Sequence, residues 1–301
     1  MKLERIVIGI DFSSSSFEAA RWAARHFASG AELVLAHIIT VPQPPPIVRS
    51  RYARRDLLIE TVRAGADRRL REFSHALSAS RIWLEIREGE AASGLANVAA
   101  DFSADLVIVG MHGEREGVLE GLGSTAEHLV KQAHTPVLLT RALRDRPPAR
   151  ILVPLEQSEI SERALGLARH LGHRFGAEVI ALHVVRSGVM SHMLSGTAGI
   201  NDAHRVGSEP LPSGGPLAAH GWLQRLLEES KEGAGRASAQ VVFGEPAQEI
   251  TAFAERWDCD LIVMGRRGAG GIRRAVLGSV VNALLRHAPC PVLVMGERDA
   301  S

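Results

Sequence analysis

One glycine pattern occurs twice in this chain, and it constrains the fold more than any other feature. Gly110-Met111-His112-Gly113 is followed by nine residues and then Gly123-Ser124-Thr125. Gly265-Arg266-Arg267-Gly268 is followed by nine residues and then Gly278-Ser279-Val280. Each copy follows a short apolar run and precedes a helix-like segment. That layout suits a loop that cradles an anion and closes on a helix N-terminus, where unpaired N–H groups and the helix dipole both favour negative charge. Glycine lets the backbone come close to such a ligand.

The two loops lie 155 positions apart, as do Gly89-Glu90 and Gly244-Glu245. Earlier in each half the offset is smaller. Gly9-Ile10-Asp11 aligns with Pro154-Leu155-Glu156 at 145, and His37-Ile38 aligns with His183-Val184 at 146. The chain therefore reads as a tandem duplication, residues 1–145 and 146–301, with about nine extra residues after the second strand of the second half. A period of this length is that of a domain, not of a solenoid repeat.

The candidate strands are short and continuously apolar: Ile6–Ile10, Leu33–Ile38, Leu106–Val109 and Val137–Leu139, then Ile151–Val153, Val179–Val184, Leu261–Met264 and Val292–Val294. Continuous apolarity suits parallel strands covered on both faces. Helical spacing runs between them. Ile160, Ala164, Leu167, Leu171 and Phe175 share a face that ends at Gly176, and Phe17, Ala20, Ala24 and Phe27 share one that ends at Gly30. Ser15 and Glu18 have capping-box spacing. Strands alternating with helices predict two Rossmann-like, doubly wound α/β domains, each with a five-stranded parallel sheet. Ligands of such sheets bind beyond the carboxyl ends of the strands, where both glycine loops begin.

Composition excludes several classes. The formal net charge of +1 over 301 residues argues against a nucleic-acid partner. No apolar run approaches the ~20 residues of a membrane span. Met1-Lys2-Leu3-Glu4-Arg5 leads straight into a strand, so no leader is expected, and two cysteines suit a reduced cytoplasmic setting. Two irregular segments follow the second strand of their halves: Val41–Ser50, with four prolines, and an insert spanning 187–216, rich in Gly, Ser and Pro. Either could be a mobile lid or a disordered linker.

Together these motifs resemble the universal stress protein family in its tandem, ATP-binding form. The likeness covers nearly all of both halves, and the stretch from Gly265 to Val294 carries it most strongly. The resemblance implies that each half binds adenine nucleotide: ATP, or else ADP or AMP, with Mg2+ at the phosphates. By that resemblance Gly9, Ile10 and Asp11, with Leu155 and Glu156, face the adenosine. Ile38 and Val184 would meet the adenine through their backbone. Gly110, Met111, His112, Gly113, Gly123, Ser124 and Thr125 would hold ribose and phosphates. So would Gly265, Arg266, Arg267, Gly268, Gly278, Ser279 and Val280. Glu156 departs from the family's usual Asp by one methylene. The family likeness further implies an internal pseudo-dimer and leaves a homodimer open.

Charge separates the loops. Glu114, Glu116 and Glu120 against Arg115 give the first −2; Arg266, Arg267, Arg273 and Arg274 give the second +4. Arginine suits phosphate through charge and its planar donor fork, so the second loop is expected to bind phosphate more strongly. No Walker-type Gly-Lys-Ser/Thr loop occurs. The thirteen histidines lack metal-ligand spacing. His37 and His183 read as packing residues, Cys259 and Cys290 as inert thiols, with a redox pair the alternative if their strands are neighbours, and Ser13–Ser16 as capping. The expected function is a nucleotide-dependent stress regulator. A slow ATPase or self-phosphorylating enzyme and a nucleotide-free scaffold remain as alternatives, because no residue stands out to position a water.

Overall fold

A computed structural model describes residues 3–40, 52–77, 79, 81–111, 123–186, 215–230, 235–266 and 277–296. The chain divides into two compact units, one ending at Leu143 and the other beginning at Arg144. In the first, β1 (Arg5–Gly9), α1 (Ser14–Phe27), β2 (Glu32–Ile39), α2 (Tyr52–His75), β3 (Ile82–Glu88), α3 (Ala91–Asp101), β4 (Leu106–Gly110), α4 (Ser124–Gln132) and β5 (Val137–Thr140) follow in turn. In the second come β6 (Arg150–Pro154), α5 (Glu159–Phe175), β7 (Glu178–Val185), α6 (Gly215–Glu229), β8 (Ala237–Phe243), α7 (Pro246–Arg256), β9 (Leu261–Gly265), α8 (Ser279–His287) and β10 (Val292–Met295).

Each unit has a five-stranded sheet, ordered β3-β2-β1-β4-β5 in the first and β8-β7-β6-β9-β10 in the second. Every pairing within a unit is parallel; Ile6 faces Leu33 and Leu106, and Ile151 faces Val179 and Leu261. Helices α3 and α4 pack on each other, as α7 and α8 do, while α1 lies on β1 and β4 and α5 on β6 and β9. The central strands are covered on both faces: Ile6, Val7, Ile8, Ile151, Leu152 and Val153 are all 0% exposed. Each such side chain contributes roughly 1.5–3 kcal/mol through burial. Among the described residues, no helix is long and apolar enough to cross a membrane.

The eight expected strands are present, and β3 and β8 join them. Both lie at sheet edges, so their side chains are only part-buried and their sequences mix polar with apolar residues. Helix α5 ends as its spacing predicts, on Gly176 in the left-handed conformation (φ 69°). Helix α1 differs from expectation at both ends. Its N-cap is Ser13, whose hydroxyl accepts from Ser16 N; Ser15 already lies within the helix. Its C-cap is Ala28, and Gly30 falls in the turn beyond. The extra length of the second half is unevenly placed, because α6 spans 15 residues against 24 for α2 and already includes the last two residues of the expected insert. Residues 41–50 and 187–214, on which the lid readings fell, lie outside the described residues.

Candidate functional site

The site is built from the carboxyl ends of β1 and β2 together with the ends of the glycine loop. Ile10 follows β1 and is tied to β2 twice. Its N–H donates to Ala36 O at 2.8 Å, and its carbonyl lies 2.7 Å from His37 Nδ1. The second unit repeats both bonds: Leu155 N to Leu182 O at 2.8 Å, and His183 Nδ1 to Leu155 O at 2.8 Å. A carbonyl can only accept, so each Nδ1 carries the proton. These histidines therefore fix the turn that presents the next residue, an acid in both halves. Sequence reading paired them but assigned them to packing; the matched strand positions were the available signal.

Asp11 is exposed. Its Oδ1 accepts from Ser13 N at 3.0 Å and from Ser13 Oγ at 2.5 Å, which steadies the residue that caps α1. At Glu156 the longer side chain changes the pattern. Its Oε1 accepts from Ser158 Oγ at 3.1 Å, while Ser158 N turns to the Glu156 backbone carbonyl at 2.8 Å. Ile38 and Val184 are nearly buried, at 9% and 8% exposure, so their side chains belong to the core.

The loop residues His112, Gly113, Arg267 and Gly268 lie outside the described residues, but both ends of each loop are defined. Gly123 N donates to Met111 O at 3.2 Å, and Gly278 N to Arg266 O at 3.4 Å. Each loop is thus pinched shut by one backbone bond between equivalent residues. The glycines are required for close approach. A Cβ on Gly123 would lie 3.0 Å from Met111 O, and one on Gly110 would lie 2.6 Å from Ser15 Oγ. Met111 is buried, and so is Arg266 at 5% exposure. Of the four arginines counted in the second loop, this one therefore does not project into solvent.

The helices that follow the loops differ from most of the others whose N-caps are described. Ser13, Glu90 and Ser158 cap α1, α3 and α5 with side-chain oxygens. Burial opposes ionisation of Glu90, but donors from Ser93 and Ala92 outweigh it and hold its carboxyl below the usual range. Helices α4 and α8 are capped by Gly123 and Gly278, which have no side chain to offer. Helix α7 also lacks a side-chain cap, but Pro246 in its first turn removes one donor. The first N–H groups of α4, from Ser124 and Thr125, and of α8, from Ser279 and Val280, are thus left for another acceptor. Helix α8 has no acid in its first turn, whereas α4 has Glu127. The chemistry of this donor set fits an anion held against backbone amides.

Comparisons with known proteins agree with this architecture. The profile of the Universal stress protein family matches residues 2–141 and again residues 148–296. The chain belongs to the universal stress protein family. A universal stress protein of Mycobacterium tuberculosis is 27% identical over 307 residues, covering 97% of this chain and 96% of that one. One from Synechocystis is 32% identical over 152 residues, 48% of this chain and 96% of its own length, as a single-domain relative of a tandem protein would be. The crystal structure of a universal stress protein from Archaeoglobus fulgidus superposes with a TM-score of 0.72 at 20% identity, covering 99% of this chain and all of that one. A tandem of two such domains fits an internal pseudo-dimer.

The two cysteines can also be placed. Cys259 and Cys290 precede neighbouring strands and are both buried and reduced. Burial pushes the Cys259 thiol up to about 12, which removes its thiolate at neutral pH. Among the described residues, no cluster of three or more His, Cys, Asp or Glu could hold a metal ion.

Proposed function

We propose that each half of this universal stress protein binds an adenine nucleotide, ATP foremost, and that the chain acts as a nucleotide-dependent regulator in the stress response. One observation carries the reading. In both halves a pinched glycine loop ends on a helix N-terminus with no side-chain cap, and an acid held by the histidine-locked turn stands at the neighbouring strand end. Ser124 and Thr125, or Ser279 and Val280, would receive phosphate oxygens through backbone N–H groups. Asp11 or Glu156 would accept from ribose hydroxyls. Mg2+ would accompany the phosphates and offset their charge. Binding then shifts a conformational equilibrium only as far as the nucleotide prefers one state. On this reading the chain works in the cytoplasm, and a homodimer is open to it.

Two measurements on the purified full chain test this. The first is mass spectrometry of nucleotide released on denaturation, and the second is calorimetric titration with ATP and Mg2+. Intact ATP after storage, with saturable binding at two sites, is the expected result. ADP in its place points to slow hydrolysis, and phosphate appearing on the protein points to self-phosphorylation. The absence of both bound nucleotide and titration heat refutes the reading and leaves a nucleotide-free scaffold.

A further inference from the structure

The strand order β2-β1-β4 separates two ends of each candidate site. The glycine loop and the α4 N-terminus follow β4, on one side of β1; His37 lies near the end of β2, on the other. A nucleotide with its phosphates on the loop therefore has its base beside β2. Each half sets an aromatic ring against the matched histidine there, and the two rings come from different elements.

In the first half the ring is Phe12, next to Asp11. Its centroid lies 4.5 Å from that of His37, at a tilt of 43°. The Arg69 guanidinium of α2 sits 4.0 Å from the centroid of the same ring. Phe12 has φ 67°, the left-handed region that bulky residues avoid and that persists only where surroundings enforce it. Such strain recurs at ligand sites, and here it sets the ring against His37, with Phe17 6.1 Å away on α1. The equivalent residue in the second half is Gln157, which has no ring. There the ring is Trp222 on α6, edge-on to His183 at 5.5 Å and 81°. The buried pairs Ala66/Leu70 on α2 and Ala219/Leu223 on α6 bring the helices into correspondence, and Trp222 then stands where Arg69 stands. Phe12 and Trp222 are only part-buried, so neither is spent on the core.

We propose that these rings receive the purine base of the bound nucleotide: Phe12 with Arg69 in the first half, and Trp222 in the second. The inference rests on the nucleotide reading above and adds which side chains select the base. Flat π-surfaces and guanidinium planes both stack on nucleobases. The halves hold the base by different chemistry, a ring with a cation against an indole, so their preferences among purines differ.

The test compares ATP with inorganic tripolyphosphate, which lacks the base, by two-site calorimetry on the full chain. Phe12→Leu and Trp222→Leu should each weaken ATP at one site about tenfold, the effect of losing one base stack, and leave tripolyphosphate unchanged. Phe12→Tyr and Trp222→Phe keep a ring and should retain most of the affinity, which separates stacking from misfolding. ATP should also quench tryptophan emission in the unaltered chain and lose that quenching in Trp222→Phe. Equal losses for ATP and tripolyphosphate, or unchanged ATP affinity in folded Leu variants, overturn the base platform and leave nucleotide binding intact. An unaltered chain that binds no ATP overturns both.

Discussion

Asp260 offers a test of how the second unit is held together. It stands at the foot of β9, at the opposite end of the sheet from the candidate site, with its side chain 5% exposed. Its Oδ2 accepts from Ala149 N at 2.8 Å, Arg150 N at 3.1 Å and Arg146 Nη1 at 3.1 Å. Its Oδ1 meets Arg144 Nη1 at 2.9 Å and Arg146 Nη2 at 2.8 Å. The equivalent Asp105 accepts from Glu4 N and Arg5 N in the same way, so pinning the first strand is the shared task, and the arginine contacts also secure the segment that leads into β6. Asp260→Asn keeps a carbonyl for the backbone donors but turns an amide donor toward the guanidiniums. Arg144 and Arg146 are 42% and 44% exposed, so water recovers much of what they lose. The cost should be about 1–2 kcal/mol, below the full value of two charge-assisted bonds. Asp260→Ala also strands two backbone N–H groups in a nearly closed site, for a total of about 3–4 kcal/mol. In a unit of this size each kcal/mol moves Tm by about 2–4 °C, so falls of about 2–8 °C and about 6–16 °C are expected. Calorimetric melts in low and high salt separate the terms: salt should shrink the Asn deficit and leave most of the Ala deficit. An Asn variant that melts like the unaltered chain in low salt refutes the charge contribution. An Ala variant within 1 °C refutes the whole account.

Three further outcomes follow from the same structure. Asp258 lies below the usual carboxylate range, chiefly because Arg144 donates to it, with the charges of Arg146 and Arg150 assisting. A depressed folded-state value gives stability that is complete above about pH 4 and is lost as pH falls through the folded value, so urea midpoints should drop on acidification below about pH 4; a flat profile there contradicts this. Cys259 and Cys290 should resist a thiol reagent until the chain unfolds, and rapid labelling under native conditions would show that one of them is accessible. Gly268→Asp should weaken ATP more than Gly113→Asp, because its loop carries +4 against −2; equal losses in paired titrations reject the ranking.

How much was legible depended on the range of the interaction. Central strands announce themselves because burial on both faces demands continuous apolarity, as in Ile6-Val7-Ile8. Edge strands β3 and β8 do not, because one side meets solvent and their sequences lose that signature. The N-cap of α1 was misplaced by two residues because four serines in a row offer four candidates. The choice falls on Ser13, whose amide and hydroxyl both reach Asp11. The glycine spacing and the acid were readable as local pattern. The histidine bonds were not, because each joins residues 27 or 28 apart and depends on strand register. Nor was the burial of Arg266, since charge counted along a loop says nothing about which side chain the fold encloses.

The two halves agree where the fold needs them to agree. Asp105 and Asp260 pin the first strand, His37 and His183 lock the turn, and Ser13 and Ser158 cap the following helix. They part where a ligand would be read. Asp11-Phe12 becomes Glu156-Gln157, Ser15 beside Gly110 becomes Ile160, and buried Met111 becomes buried Arg266. The consequence is physical. At Asp11 both the amide and the hydroxyl of the cap serine reach the carboxylate, which holds it close to the turn. At Glu156 only the hydroxyl does, and the amide is satisfied by backbone instead. The second acid is longer by one methylene, so it has more reach and one more rotatable bond for a ligand to order. Under the nucleotide reading, the entropy of that ordering opposes the gain from the basic second loop. The first half would then hold the nucleoside end more firmly and the second half the phosphate end, an asymmetry that a duplicated scaffold can carry without any change to its sheet.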